Sequence, residues 1–171
     1  MKISLLMISF VMFVAFALPA AISAQKTCSG PNGLTPAEIG DILTAHNKAR
    51  AVNKLDELKW DCNLAEMAQE WATRGKFEHR TAPKYGECLF VSSRSTAKAT
   101  AAVDQWMLEK VSWDAKTATC DVSKVCTHYT QVMWKKTKKI GCGINRSAPG
   151  KWKVLVVCNY DPAGNNGGPP F

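Results

Sequence analysis

Seven cysteines are spread over the 171 residues of this chain. Proteins of the reducing cytosol rarely carry so many, because thiols stay reduced there. In an oxidising compartment the same cysteines form disulfides, and each disulfide requires two segments whose Cα atoms approach within about 7 Å. Whether the chain is exported therefore decides what holds its fold together.

The N-terminal segment predicts export. Residues 3–24 carry no charge and follow Lys2, and the apolar part of the run ends at Pro19 and several small residues. These features are typical of a cleaved secretory signal peptide over residues 1–24, which leaves one mature domain over residues 25–171. An uncleaved anchor is the alternative, because about twenty apolar residues can span a bilayer. The proline and the small residues favour cleavage, and no later stretch resembles a transmembrane segment. We therefore expect a secreted, extracellular protein.

Two cysteine pairs have a spacing that suits disulfides. Cys120 and Cys126 lie in one polar segment, and Cys142 and Cys158 lie in two segments that resemble the arms of a hairpin. A bridge that closes the loop between Cys142 and Cys158 stabilises the fold by about 3 kcal/mol in the chain-entropy treatment. We therefore predict the bridges Cys120–Cys126 and Cys142–Cys158.

An odd number of cysteines leaves one thiol without a partner in the chain. A bridge between Cys28 and Cys62 would leave Cys88 over, although the sequence does not fix this pairing. A catalytic role is the alternative for Cys88, which follows Glu87. A cysteine nucleophile needs an adjacent base, and the sequence places no histidine beside this one.

Hydrophobic periodicity predicts four helices and then a hairpin. The first helix begins at the capping box Thr35-Pro36-Ala37-Glu38, and its apolar stripe includes His46. Glu109 falls on the inner side of the third helix. The other helices are predicted from 61 until Gly75, over 97–110 and over 127–134, and the strands over 140–145 and 152–160.

The net charge of +8 does not indicate a nucleic-acid-binding protein. Lysines and arginines are scattered, with one small cluster at Lys135, Lys136, Lys138 and Lys139, and no nucleic-acid-binding module is present. We interpret the cluster as a solvated face. A weak attraction to an anionic surface or to an extracellular protein partner is the alternative.

Several segments resemble the CAP superfamily, which comprises cysteine-rich secretory proteins, antigen 5 and pathogenesis-related 1 proteins (SCP-like extracellular proteins). The two long signatures of that family resemble CTHYTQVMW (126–134) and CNYDPAGN (158–165). Its shorter motifs resemble HNKAR (46–50), YGE (85–87) and Trp106 with Glu109. The match runs over nearly the whole mature chain, from about residue 34 to 171, with the signatures in the family order.

The resemblance implies a secreted α+β protein, a three-layer α-β-α sandwich with an antiparallel sheet between helices. It also implies a surface cleft that holds two histidines and two acidic residues. Carried over by motif, this tetrad is His46, Glu87, Glu109 and His128. Family members often have a histidine at the position of His79, which we assign a structural role outside the tetrad.

Two positions depart from the family signatures. Thr127 stands where glycine is usual, which crowds the backbone before His128. Cys88 stands where asparagine is usual, so a polar side chain that would orient the turn after Glu87 is missing.

The tetrad suggests a weak, pH-sensitive site for a divalent cation such as zinc. Its metal ligands would be His46 and His128, and binding would fail as histidines protonate below about pH 6.5. Two histidines are too few for tight structural zinc. A hydrolase or protease built on the four tetrad residues is the alternative, but neither a Gly-x-Ser-x-Gly nor a His-Glu-x-x-His motif is present, so the sequence favours a binding protein over an enzyme.

Two further functions follow from the resemblance. Several relatives bind sterols or fatty acids, and the Ala-, Met-, Trp- and Val-rich helices of this chain could line such a groove, although core packing explains the same residues. Plant members are reported to release a C-terminal signalling peptide, which corresponds here to residues 162–171. We expect a lipid-binding protein of extracellular defence or host interaction, with the peptide precursor as an alternative.

One glycosylation sequon is present, Asn145-Arg146-Ser147. It lies at the predicted hairpin turn, so Asn145 is a candidate for modification in a secreted protein.

Overall fold

The computed structural model describes Cys28 and residues 33–171. The predicted signal peptide, residues 1–24, lies outside the described residues. Within the described part of the chain, no helix has the length and apolar character needed to cross a bilayer.

Among the described residues, four α-helices and six strands form the domain. The helices are α1 (Pro36–Ala51), α2 (Cys62–Thr73), α3 (Ala101–Leu108), which continues into a 3-10 turn (Glu109–Ser112), and α4 (Thr127–Val132). The strands are β1 (Lys59–Trp60), β2 (Gly86–Ser92), β3 (Trp113–Asp114), β4 (Thr119–Cys120), β5 (Lys139–Asn145) and β6 (Val154–Asp161). The predicted capping box is present at α1, where the Thr35 hydroxyl accepts from Glu38 N and the Glu38 carboxylate accepts from Thr35 N.

The main sheet has the strand order β1-β5-β6-β2 and separates two helical layers. Helix α2 packs on β5 and β6 from one side, and α1, α3 and α4 cover the other. Side chains of β6 alternate between the two layers: Val154, Val156 and Cys158 face α1 and α3, whereas Leu155 and Val157 face α2. Because both faces are covered, β6 is a nearly continuous buried apolar run.

The predicted three-layer α+β sandwich is confirmed, with one correction to the sheet. The pairs β5–β6 and β2–β6 are antiparallel, but the two-residue strand β1 runs parallel to β5. The sheet is therefore mixed. Strand β1 follows the loop after α1 and enters the edge of the sheet directly before α2, so the chain direction there is set by the helix connections.

Close packing of α2 on β5 depends on two glycines. A Cβ atom at Gly141 would lie 2.6 Å from the Asp61 carbonyl oxygen, and one at Gly143 would lie 2.7 Å from the Ala68 carbonyl carbon. Both obstacles are backbone atoms, which cannot rotate away. The helix therefore rests almost on the sheet backbone.

Arg50 connects α1 to the segment that follows α4. Its fully buried guanidinium donates to the carbonyl oxygens of Val132, Trp134 and Asp56 at 2.8, 3.0 and 2.8 Å. These carbonyls stand at the C-terminal end of a helix and in the loops beside it, where positive charge is favourable. Arg50 thus fixes the position of α4, which carries His128.

The two predicted disulfides, Cys120–Cys126 and Cys142–Cys158, are present, and Cys28 pairs with Cys62, a bridge that the sequence left open. Cys88 is the free cysteine and is buried.

Candidate functional site

His46 lies in the core and not in an open cleft. Its Nδ1 donates to the Ile42 carbonyl at 2.8 Å, and its Nε2, which must then be the unprotonated nitrogen, accepts from the Tyr160 hydroxyl at 2.9 Å. The ring is fully buried, with its centroid 6.2 Å from that of Trp106. Burial, reinforced by the charge of Arg50 and opposed by the bond to Ile42, lowers the pKa of His46 to about 4. Both ring nitrogens are therefore occupied.

Glu109 and His128 form a partly exposed pair. His128 Nδ1 lies 2.6 Å from Glu109 Oε1, and Glu109 Oε2 accepts from the backbone N–H groups of His128 and Tyr129 at 3.0 and 3.1 Å. The His128 ring stacks on Trp106 with a centroid distance of 6.0 Å. The carboxylate thus orients the imidazole, and the stacked indole limits its rotation.

Glu87 pairs with His79 and Arg80 at the start of β2. Glu87 Oε1 lies 2.9 Å from His79 Nδ1 and accepts from Arg80 N, and Arg80 Nε lies 3.3 Å from Glu87 Oε2. The side chain of Glu87 is 2% exposed, whereas that of His79 is 59% exposed. The carboxylate is therefore held inside while the imidazole faces solvent.

Three of the four predicted tetrad residues, Glu87, Glu109 and His128, lie in two His–Glu pairs, and His46 belongs to neither. Glu109 contacts His128, and Glu87 contacts His79, to which the sequence analysis assigned only a structural role. This placement corrects the view that His46 faces the cleft: the inner side of α1 is the core itself. No short motif marks His79, because the loop between α2 and β2 brings it back onto Glu87.

The geometry does not fit a tight zinc site. Among the described residues, no group of three or more His, Cys, Asp or Glu side chains is arranged to hold a metal ion. Each pair offers one imidazole and one carboxylate, which is short of the four protein ligands of structural zinc.

An apolar groove of about 520 Å³ lies between α4, the β3–β4 ribbon and the C-terminal tail (residues 162–171). Such a volume is typical of small-molecule sites, which span about 300–1,000 Å³. Its apolar lining includes Trp113, Trp134 and Val125, and the Cys120–Cys126 disulfide forms part of its floor. None of the described residues that line it is acidic, and Lys124 stands at its edge.

The C-terminal tail forms one wall of this groove. Asn165 donates to the Thr127 carbonyl at 2.8 Å and accepts from the Thr130 hydroxyl at 2.7 Å, while Gly164 N donates to Gln131 Oε1 at 2.8 Å. Further on, the Pro170 carbonyl accepts from Lys135 N at 2.6 Å. The tail is therefore fastened to α4 and to the segment after it.

A second hollow of about 300 Å³ adjoins the groove across the tail. The two share Trp134, Gly167, Gly168 and Pro170 as lining, and the second also contains Lys135 and Lys136. The other two members of the lysine cluster form ion pairs instead, Lys138 with Asp56 and Lys139 with Asp61. Two lysines of the cluster thus stand free of these pairs, beside an apolar cavity.

The apolar helix residues offered as a groove lining are core residues. Ala65, Ala68, Ala102, Val103 and Trp106 are all buried in the two layers of the sandwich. The groove is built by segments without strong periodicity, which explains why the helix patterns do not reveal it.

Asn145 ends β5 and is partly buried. Its side-chain amide donates to the Ala72 carbonyl at 3.0 Å and accepts from Ser147 N at 2.8 Å. Glycosylation at this sequon would replace one of the two hydrogens of the amide that bonds to Ala72.

Comparisons with known proteins agree with these features. The profile described as "CAP: Cysteine-rich secretory protein family" matches residues 43–160. A "Pathogenesis-related protein PR-1 type" of Sambucus nigra is 36% identical over 132 residues, which cover 75% of this chain and 78% of that protein. "Secreted protein RBT4" of Candida albicans is 38% identical over 155 residues, which cover 86% of this chain and 42% of that protein. The solved structure titled "Crystal structure of NaASP2 with Zn2+" superposes with a TM-score of 0.69 at 25% identity and covers 84% of this chain and 88% of its own.

Proposed function

Because this chain belongs to the cysteine-rich secretory protein (CAP) family, we propose that it is secreted and binds a small hydrophobic ligand in the groove beside its C-terminal tail. Its relatives include pathogenesis-related and secreted proteins, so the setting is extracellular defence or host interaction. Three disulfides support an oxidising location.

The observation that carries the proposal is the groove itself. Two tryptophans and a valine line a cavity of about 520 Å³, and Val125 is 57% exposed. Apolar surface of this kind gains about 25 cal/mol for each Å² that a ligand removes from water. The groove is therefore the surface from which burial of an apolar chain or ring would yield binding energy.

A fatty acid fits the charges better than a neutral sterol does. Lys124 borders the groove, and Lys135 and Lys136 border the adjoining hollow, with no acidic residue among the described lining of either. An extended acyl chain in the groove can place its carboxylate beside these ammonium groups. Exposed ion pairs contribute only about 0–1 kcal/mol, so the carboxylate adds selectivity while the acyl chain supplies most of the affinity.

Val125→Asp tests this placement. We expect the variant to bind a fluorescent long-chain fatty acid at least about tenfold more weakly, because a carboxylate in the groove must either lose its hydration or exclude the acyl chain. Val52→Asp is the matched control, since Val52 is 70% exposed at the end of α1, outside the groove. Equal affinities of Val125→Asp and wild type would contradict the proposal.

Weak cation binding is a second candidate function, supported by the two solvent-facing histidines and by the solved relative that carries Zn2+ in its title. We expect titration calorimetry to detect weak zinc binding that is lost in the double variant His79→Ala/His128→Ala. The same binding should persist in His46→Gln, because both nitrogens of His46 are already bonded. Loss of zinc binding in His46→Gln alone would overturn this assignment.

A further inference from the structure

Three cysteines lie on a single rung of the main sheet. Cys158 of β6 pairs in register with Cys142 of β5 on one side and with Cys88 of β2 on the other. Residues directly opposite each other in a sheet point to the same face. All three belong to the core layer that faces α1, α3 and α4. The free thiol thus stands next to one sulfur of a disulfide.

The spacing on the rung permits two pairings and excludes a third. The Cα atoms of Cys142 and Cys158 are 4.1 Å apart, the short spacing of a non-hydrogen-bonded antiparallel pair. The backbone of Cys158 then points its hydrogen-bonding groups at Cys88, and such a pair has a Cα separation of about 5.5 Å, which is within the disulfide range. Cys88 and Cys142 are two strand spacings apart, about 9.5 Å, which is too far for a bridge.

We propose that Cys88 is an alternative partner of Cys158 and that the bridge moves along the rung by thiol–disulfide exchange. The Cys88 thiolate attacks the Cys158 sulfur, a Cys88–Cys158 bond forms, and the Cys142–Cys158 bond breaks. Cys142 leaves as a thiolate and takes up the proton that Cys88 has lost. One disulfide and one thiol exist before and after, so the step needs neither oxidant nor reductant.

Burial controls when the exchange occurs. Cys88 is 1% exposed, and burial raises the pKa of its thiol, as do the negative charges of Glu109 and Glu87, while a hydrogen bond with the Tyr160 hydroxyl opposes them. The attacking thiolate therefore forms when the sheet opens, during folding or in local unfolding. The exchanged form ties β2, the strand that carries Glu87, to β6 and releases β5.

Two variants that lack the same bridge give opposite expectations. After oxidation with glutathione disulfide, Cys142→Ser should contain no free thiol, because Cys88 and Cys158 pair and glutathione disulfide is reduced. Cys158→Ser should retain two free thiols, because Cys88 and Cys142 cannot reach each other. Thiol titration in denaturant counts them, with the wild type expected to show one. Equal counts in the two variants would overturn the proposal.

The wild-type chain supplies a test that does not depend on the folding of either variant. The protein is held at mildly alkaline pH in partly denaturing urea with a trace of reduced glutathione, then acid-quenched, alkylated and mapped by mass spectrometry. We expect part of the label to move from Cys88 to Cys142. A label that stays on Cys88 alone would contradict the exchange.

Discussion

Truncation after Asn165 is expected to weaken fatty-acid binding at least about tenfold, while the sandwich stays folded. The truncation removes Gly167, Gly168 and Pro170 from the wall of the groove and leaves the Asn165 and Gly164 contacts in place. Losing about 60 Å² of apolar contact at 25 cal/mol per Å² corresponds to about 1.5 kcal/mol, or roughly tenfold in affinity. Fluorescence titration measures the change.

The truncation also creates a C-terminal carboxylate at Asn165, which lines the same groove as Lys124. A charged probe and an uncharged probe distinguish the effect of this new charge from the effect of losing the groove wall. A fatty acid and its methyl ester should both lose affinity, whereas pure charge repulsion would affect the acid alone. Asn165→Gly, which keeps the positive φ of 58° and removes two hydrogen bonds, should weaken binding as well. Asn166→Gly is the matched control, because within the described part of the chain the Asn166 side chain donates to Ala163 of the tail itself. Unchanged affinity in the truncated chain would exclude the tail as a wall.

The C-terminal tail is both a wall of the groove and the segment that a peptide precursor would release. Release of residues 162–171 as a peptide would take away every tail residue that lines the groove. Cleavage would therefore also release a bound ligand, and a bound ligand that contacts the tail would slow cleavage. Protease digestion with and without fatty acid would reveal this coupling.

The second large effect is on stability at acid pH. The folded-state pKa of His46, about 4, lies below the value of 6.5 for an unperturbed histidine, so between these values the unfolded chain binds more protons. The contribution of neutral His46 to the free energy of unfolding is therefore complete above about pH 6.5 and is lost as the pH falls towards 4. A difference of this size corresponds to about 3 kcal/mol of unfolding free energy. Protonation would also turn Nε2 into a donor that faces the Tyr160 hydroxyl.

Urea unfolding of the wild type and of His46→Gln between pH 7 and pH 4 isolates the contribution of His46 to the free energy of unfolding. Carboxylates such as Glu38 and Asp61 titrate in both proteins and cancel in the difference. The variant should be less stable at pH 7 and should show a shallower loss on acidification. Parallel curves would mean that His46 does not titrate as its burial requires.

The helices could be predicted because their ends carry local signals. Thr35 and Asp61 cap α1 and α2 through their own side chains, and Gly75, with a φ of 69°, follows the end of α2. The third helix is shorter than its apolar pattern, since the chain turns into a 3-10 segment at Glu109. Strand β2 was not predicted, because its existence depends on pairing with β6, which lies more than sixty residues later in the chain.

The candidate site was predictable only in part, for a similar reason. Periodicity correctly places His46 and Glu109 on inner helix faces. It does not distinguish the fully buried position of His46 from the partly exposed position of Glu109 beside His128. His79 reaches Glu87 because the irregular loop between α2 and β2 folds back onto the start of β2. A residue in such a loop has no periodic pattern from which its contact could be predicted. The groove is likewise formed by the β3–β4 ribbon and the tail, which lie far apart in sequence.

Photo-crosslinking of a diazirine-bearing fatty acid to the full-length protein tests the proposed ligand site most directly. We expect label on peptides that contain Trp113, Val125 or residues 163–171, and unlabelled fatty acid should compete it away. A different surface hollow, lined by Phe90, Gln105 and Trp152, serves as the internal comparison. Competable label on that hollow, with the groove peptides unlabelled, would contradict the account.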